Sequence, residues 1–309
     1  MKNEALVSVL IPVYNVGLYV AEAIQSILNQ SYKNIEIIVV DDFSTDNTFE
    51  IVSELSNLDK RIFIFRNEKN IKISKTLNKA FSLSHGDFIL RMDGDDISSQ
   101  DRIDVKLNFL NENPHIDIVG CSTNTISHDG LFLSGNKQID NECYLDELLP
   151  FTTPLKHIWL ARRKVYEVLN GYRDISGVED YDFLLRAKFH GFRFTNISDY
   201  YGYDVRIGRG GSTISTFGYK QLILRKLVYH DYLSSYDGLI MYKNIKINGL
   251  FNKLYSFSSK KLSLAIYYRA RKKHLNVFLN IVLCLVSPHM ISYLYERCYI
   301  RYFYWKNNI

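Results

Sequence analysis

The sequence predicts a doubly wound α/β fold, a mostly parallel sheet between helices, followed by a helical C-terminal extension. Three observations carry this. Residues 7–13 (VSVLIPV) and 35–40 (IEIIVV) are β-branched runs of the kind that form strands buried on both faces. Between them Val20, Ala23, Ile24, Ile27 and Leu28 recur at helical spacing, and Asn29, Gln30 and Ser31 end the pattern, which makes a βαβ unit. The alternation then repeats, as a parallel sheet requires.

Each further element follows from its local pattern. Ser44 or Asp46 can cap a helix after the second strand, residues 62–65 read as a strand, 74–83 as a helix and 88–92 as a strand. Residues 101–110 then read as a helix, 116–121 as a strand and 141–148 as a short acidic helix. In 180–190 the helical face of Phe183, Leu184 and Ala187 stops at Gly191, a good terminator. Residues 200–215 are rich in Gly and Tyr without a period and are expected to form a loop. From Phe217 onward apolar residues recur helically, with Lys and Arg between them.

The chain has 309 residues, 47% hydrophobic and 23% charged, enough to bury a substantial core and far from a disordered composition. Five prolines, 16 glycines and no fixed-period repeat exclude collagen-like, linker, solenoid and propeller architectures. The four cysteines (Cys121, Cys143, Cys284, Cys298) form no CxxC pair, so neither a disulfide scaffold nor a cysteine zinc site is indicated, and a reducing compartment fits. No secretory signal is expected at the start, where Glu4 precedes a strand-like run, so the protein is expected in the cytoplasm.

The net charge of +5 hides an asymmetry. Residues 220–309 hold 15 Lys and Arg against 3 acids and 12 of the 23 tyrosines, which leaves the front of the chain acidic. A basic, aromatic tail suits a polyanion such as anionic lipid or nucleic acid. Arg269, Arg271, Lys272 and Lys273 precede the apolar stretch 275–286, and Tyr293, Tyr295, Tyr299, Tyr302, Tyr304 and Trp305 follow it. That stretch falls short of the roughly 20 residues that span a bilayer, so it reads as peripheral attachment to an anionic membrane surface. A helical cap on the rest of the chain is the competing reading. No nucleic-acid motif accompanies the charge, and no nucleic-acid partner is expected.

Ligands of open α/β sheets bind at the carboxyl ends of strands. The acids gather there: Asp41 and Asp42 in VVDDFSTDNT, and Asp93, Asp95 and Asp96 in LRMDGDD. Clustered carboxylates repel unless compensated, and as hard oxygen ligands they suit Mg²⁺ or Mn²⁺ bridging to a diphosphate. Gly94 would let the backbone turn so that the acids share one site. Each motif taken alone also reads as a solvated turn or a helix cap. No GxxxxGK[ST] loop or dinucleotide glycine fingerprint is present, and no HExxH or HxxxH pattern supports a zinc hydrolase.

The ordered set VSVLIPVYN, SILNQSYKNIEIIVVDDFSTDNT, ILRMDGDDISSQDR and VEDYDFLLRAKFHG closely resembles the family-2 inverting glycosyltransferases with a GT-A fold, over roughly residues 7–215. The resemblance implies a GT-A catalytic domain over residues 1–216 and a basic helical region over 217–309. It implies that Pro12, Tyr14 and Asn15 shape a base pocket after the first strand and that Asp42 accepts from a uracil-type imide. Asp93 would approach the ribose or metal, Asp95 would hold the metal, and Asp96 would bond backbone or support the donor sugar. Asp180 matches the general base, which takes the acceptor hydroxyl's proton. Glu179 would orient that base or bind the acceptor, and Asp182 reads as an acid favoured by the helix dipole. His157 and Trp159 lie where an acceptor wall is expected, with core packing the alternative for Trp159 and capping the alternative for Asp180.

Two departures stand out. Lys72 in NIKISKTLN replaces a glycine common in relatives and either reaches the diphosphate or points to solvent. In YYGYDVRIGRGGSTIS, Arg206 or Arg209 takes the place of the usual phosphate contact, with Gly210 and Gly211 as a hinge or an ordinary loop. No QxxRW motif appears, so a non-processive enzyme is expected. The resulting expectation is a UDP-hexose-dependent transferase with Mn²⁺ or Mg²⁺, acting on a lipid-linked glycan at the cytoplasmic face of the inner membrane. A polyprenyl-phosphate sugar transferase and a non-catalytic nucleotide-sugar-binding protein are the alternatives.

Overall fold

A computed structural model describes residues 5–175, 177–208, 213–236 and 249–307. The chain divides into two compact units, Met1–Arg209 and Gly210–Ile309.

The first unit opens with β1 (Val7–Val13), α1 (Val20–Leu28), β2 (Ile35–Asp41), α2 (Thr48–Leu58), β3 (Ile62–Arg66), α3 (Ile73–Ser82) and β4 (Phe88–Arg91). β1 and β2 are buried along their whole length, as their unbroken apolar runs require. β5 (Ile97–Ser98), α4 (Arg102–Glu112), β6 (Ile118–Ile126), β7 (Phe132–Asn136), α5 (Glu142–Leu148), β8 (Leu160–Arg162), α6 (Arg163–Leu169), α7 (Glu179–Phe189) and β9 (Phe194–Arg206) complete it. Among the described residues the strands form one sheet in the order β3-β2-β1-β4-β8-β6-β9-β5, with β7 on β6. β3, β2, β1 and β4 are parallel, and β8 joins antiparallel to β4.

One expectation is corrected here. Residues 200–206, read as loop, belong to β9, where Tyr201, Asp204, Val205 and Arg206 pair with β6 and where Tyr203 and Asp204 pair with β5. The partners lie far away in sequence, so local periodicity carried no sign of them. Gly202 is required by close approach, since a Cβ there would sit 2.2 Å from the Tyr200 ring. Arg209, Gly210 and Gly211, named above as a phosphate contact and a hinge, lie outside the described residues.

The second unit holds α8 (Thr213–Leu233), α9 (Gly249–Ala270), α10 (His274–Cys284) and α11 (Pro288–Lys306). Tyr219, Leu222, Tyr255 and Met290 form a small core between α8, α9 and α11. α10 is inside out. Its polar Asn280 and small Cys284 are buried, while Leu275, Phe278, Leu279, Ile281, Val282 and Leu283 are exposed. Arg271, Lys272 and Lys273, just before it, are exposed too. Among the described residues no single helix is long and apolar enough to cross a membrane, and α10 and α11 meet at 116°.

Candidate active site

The site forms at the carboxyl edge of β1, β2 and β4. At the end of β2, Asp41 is fully buried, accepts from the Ser44 amide and pairs with Arg66 Nε at 3.1 Å, so it holds the turn. The next carboxylate, Asp42, is also buried. Its Oδ1 accepts from Asn67 Nδ2 (2.9 Å) and the Ile71 amide (2.8 Å), and its Oδ2 accepts from the Lys72 amide (2.9 Å). Asp42 thus ties the approach to α3 against the strand end. Asn15 donates its amide to Ser44 Oγ and accepts from the Thr45 amide, while Tyr14 beside it is exposed. Pro12 is corrected: it lies within β1, buried opposite Val40, rather than in a pocket after the strand.

Backbone conformation marks this edge independently. Asn15, Phe43 and Lys72 all have positive φ, at 51°, 66° and 73°. Such residues cost on the order of 1–3 kcal/mol and collect at functional sites. Lys72 combines φ 73° with ψ 164°, a region nearly reserved for glycine, and its side chain is exposed.

After β4, one carboxylate oxygen each from Asp93, Asp95 and Asp96 lies within 4.8 Å of the others. Gly94 owes its place to proximity: a Cβ would stand 2.7 Å from Val13 Cγ1, so any side chain would strike the end of β1. Asp96 is buried and accepts from the Arg206 amide at 2.7 Å. Burial, then Asp95 and Asp93, hold its carboxyl well above the usual range. A cluster whose members resist ionising together is one that a divalent cation would stabilise, and convergent hard oxygens fit Mg²⁺ or Mn²⁺. The Tyr203 hydroxyl accepts from the Asp93 amide and hydrogen-bonds Asp96, so β9 holds the cluster from further along the same sheet. Arg206 is corrected: its guanidinium is buried and donates to the Asp95, Ser127 and His128 carbonyls and to Glu22 Oε2, so here it supports the DxD turn and is not presented to a diphosphate.

Opposite the cluster stands the first turn of α7. Asp180 is its second residue rather than its cap, partly exposed, with Oδ1 accepting from the Tyr181 amide at 2.7 Å. Glu179 is corrected as an acceptor-binding group. It is buried, 3.3 Å from Arg91 Nη2, and accepts from the Gly177 amide. The reason is Arg91, a buried guanidinium that needs counter-charge. Despite the cost of burial, Asp93, Tyr172, Glu179 and Asp180 hold it in its charged form, with its pKa raised. Asp182 is fully buried and joins Arg173 to Arg186, a staple within the fold.

His157 lies between the two groups of acids. Its Nε2 is 2.9 Å from Asp93 Oδ2 and its Nδ1 is 3.8 Å from Asp180 Oδ2. Trp159 is corrected as an acceptor wall. It is fully buried, donates to the Tyr166 hydroxyl and stacks on Phe183, leaving no face for a sugar. The sequence reading missed Arg91, Tyr203 and the bridging place of His157. Arg91 was visible only as the residue before MDGDD, and Tyr203 sat in the segment read as loop.

Residues 8–169 match the family described as Glycosyl transferase family 2. EpsE of Bacillus subtilis (strain 168), provisionally named a glycosyltransferase, is 34% identical over 206 residues, covering 64% of this chain and 72% of EpsE. TuaG of the same strain, provisionally named for glycosyl transfer in teichuronic acid biosynthesis, is 36% identical over 109 residues, covering 35% of this chain and 43% of TuaG. Among solved structures, S. aureus TarS 1-349 in complex with UDP-GlcNAc superposes with TM-score 0.60 at 19% identity, over 89% of this chain and 90% of that one. The mannosyltransferase PcManGT from Pyrobaculum calidifontis, in complex with GDP-Man and Mn²⁺, gives 0.57 at 16% identity over 97% and 81%. The sheet described above is therefore the GT-A fold that the sequence led us to expect.

Proposed function

Because this chain belongs to glycosyl transferase family 2, we propose that it transfers a hexose with inversion from a UDP-linked donor to a lipid-linked glycan acceptor of a bacterial surface polysaccharide. One observation carries the reading: the Asp93–Asp95–Asp96 cluster and Asp180 face each other across one imidazole at the strand ends. Asp95 and Asp93 would hold Mn²⁺ or Mg²⁺, which supplies positive charge to the departing diphosphate when bound. Asp42 and the exposed Tyr14 and Asn15 would receive the base. Asp180 takes the proton of the acceptor hydroxyl as its oxygen attacks the anomeric carbon and the bond to the diphosphate breaks. Its Oδ1 is occupied by the Tyr181 amide, which leaves Oδ2 as the basic oxygen.

Support for the donor comes from TarS, seen with UDP-GlcNAc, and for a surface polymer from the name of TuaG. The lipid-linked acceptor and the cytoplasmic membrane face rest on the tail. An apolar α10 turned outward beside exposed basic residues suits the interface of an anionic bilayer.

The test is a screen of nucleotide sugars against lipid diphosphate, bare lipid phosphate and water-soluble acceptors, run with the Asp180→Asn variant. Transfer to the lipid diphosphate is expected, and the substitution should cut turnover by about 10²- to 10⁴-fold while UDP still binds in a calorimeter. Turnover retained by Asp180→Asn removes the base assignment. A preference for bare lipid phosphate makes the protein a polyprenyl-phosphate sugar transferase, and UDP binding with no transfer at all makes it a non-catalytic binder.

A further inference from the structure

We propose that His157 is a positioning residue that sets the separation between the donor-side carboxylate Asp93 and the base Asp180. The proposal rests on the reading of Asp180 given above and adds to it how the two halves of the site are kept in register.

The sheet puts His157 where it is. β4 and β8 pair antiparallel, with Phe88 opposite Arg162 and Leu90 opposite Leu160, and the same register carried past the strand ends sets Asp93 opposite His157. The segment is then locked from behind. The Ile158 carbonyl accepts from Arg102 Nη2 at 2.6 Å and from Lys106 Nζ at 2.8 Å, and both side chains are fully buried. Two buried basic side chains on one carbonyl are a heavy commitment for a segment that had only to fill space. Trp159, the next residue, stacks on Phe183 of α7 with ring centroids 5.5 Å apart, so the segment that leads from His157 into β8 is packed against the helix carrying Asp180. His157 itself keeps a quarter of its side chain exposed and so reaches the surface where substrate would lie.

Imidazole suits the task because its two nitrogens sit on different edges of one rigid ring. Nε2, at 2.9 Å, has the geometry of a donor to Asp93 Oδ2, since an ionised carboxylate only accepts, while Nδ1 faces Asp180 Oδ2 at 3.8 Å. An in-line displacement sets the acceptor and the leaving group on opposite sides of the reacting carbon. A rigid ring seated between their two carboxylates, hydrogen-bonded to Asp93 and standing 3.8 Å from Asp180 as a spacer, fixes their separation, and a misplacement of about 1 Å can cost about 10²-fold in rate.

The experiment uses the full chain with ¹⁵N-labelled histidine. The His157 ring signals, identified by their loss in His157→Ala, should shift in both Asp93→Asn and Asp180→Asn. In turnover, His157→Ala should lower kcat by about 10²-fold and leave the Kd for UDP within about 2-fold. His157→Gln, which keeps a donor toward Asp93, should recover about 10-fold of that loss. Ring signals indifferent to either carboxylate, an unchanged kcat in His157→Ala, or a loss confined to UDP affinity would each overturn the proposal. Ring signals that respond in a protein that transfers no sugar would instead leave the link standing and remove the proposed reaction.

Discussion

In the first unit charge goes inside. Arg91, Arg102, Lys106 and Arg206 are buried there together with Asp41, Asp96, Glu179 and Asp182. Partners for these groups come from the same unit: Glu179 for Arg91, Arg66 for Asp41, Arg173 and Arg186 for Asp182. In the second unit it is apolar surface that goes outside. α10 buries Asn280 and turns Phe278, Leu279 and Val282 outward, with basic residues next to them. Burying a charge is tolerable when its partners are fixed, and fixed partners are what hold catalytic carboxylates in place. Among the described residues of the second unit, these apolar groups stand exposed rather than packed. Each large side chain left in water forgoes about 1.5–3 kcal/mol, which an outside phase can return.

The largest break in this contrast should come where the first unit leaves charge for something external. Asp95→Ala should lower metal-dependent UDP affinity by about 100-fold, since the ion contributes several kcal/mol to charge stabilisation. Calorimetry with and without Mn²⁺ reads it, and equal affinity for the variant and the wild type would count against the metal role. The second unit should answer differently. Phe278→Asp, at a position 63% exposed, should weaken binding to anionic vesicles by about 10-fold or more without lowering the melting temperature. Vesicle binding that is unchanged would remove the membrane role of α10, and a dimer that dissociates instead would mean that a second copy of the chain covers it.

The sequence was most informative where structure is local and least where it is not. β1, β2 and β4, the helices between them and the acids at the strand ends all follow from patterns only a few residues long. Misread features depend on pairing across the sheet. Residues 200–206 become strand because β6 and β5 flank them, and Tyr203 then reaches Asp93 and Asp96 over a separation that no window covers. Trp159 and Glu179 carry the right chemistry for a sugar site but point inward, because Phe183 and Arg91 claim them. Residue type suggested a role, and only burial could refuse it. For α10 the composition announced an apolar segment, but not that its polar side would be the buried one.

A third prediction tests how firmly the first unit buries charge. Burial pushes the Lys106 ammonium down to about 7 from its ordinary 10.5. Above pH 7 the unfolded chain therefore holds a proton that the folded chain has released, and stability rises with pH across this window. Between pH 7 and 9 the wild type should gain about 2 kcal/mol relative to Lys106→Met, read from denaturant midpoints. Parallel curves for the two proteins would show that Lys106 keeps its proton inside the fold.

The smallest expected effect bears on the backbone at the carboxyl edge of the sheet. Lys72 holds φ 73° and ψ 164° while its amide donates to Asp42 Oδ2. A side chain in this region costs on the order of 1–3 kcal/mol, and glycine relieves it at the expense of a floppier unfolded chain. Lys72→Gly should therefore stabilise the protein by about 1 kcal/mol, measured by chemical denaturation. If the exposed ammonium only meets solvent, UDP affinity stays as it was and the strain serves nothing at this edge. If stability rises while UDP affinity falls, the lysine is retained against its own backbone because it reaches the donor, and the first unit leaves a cation as well as carboxylates for its ligand. A variant that is less stable than the wild type would refute the strain itself.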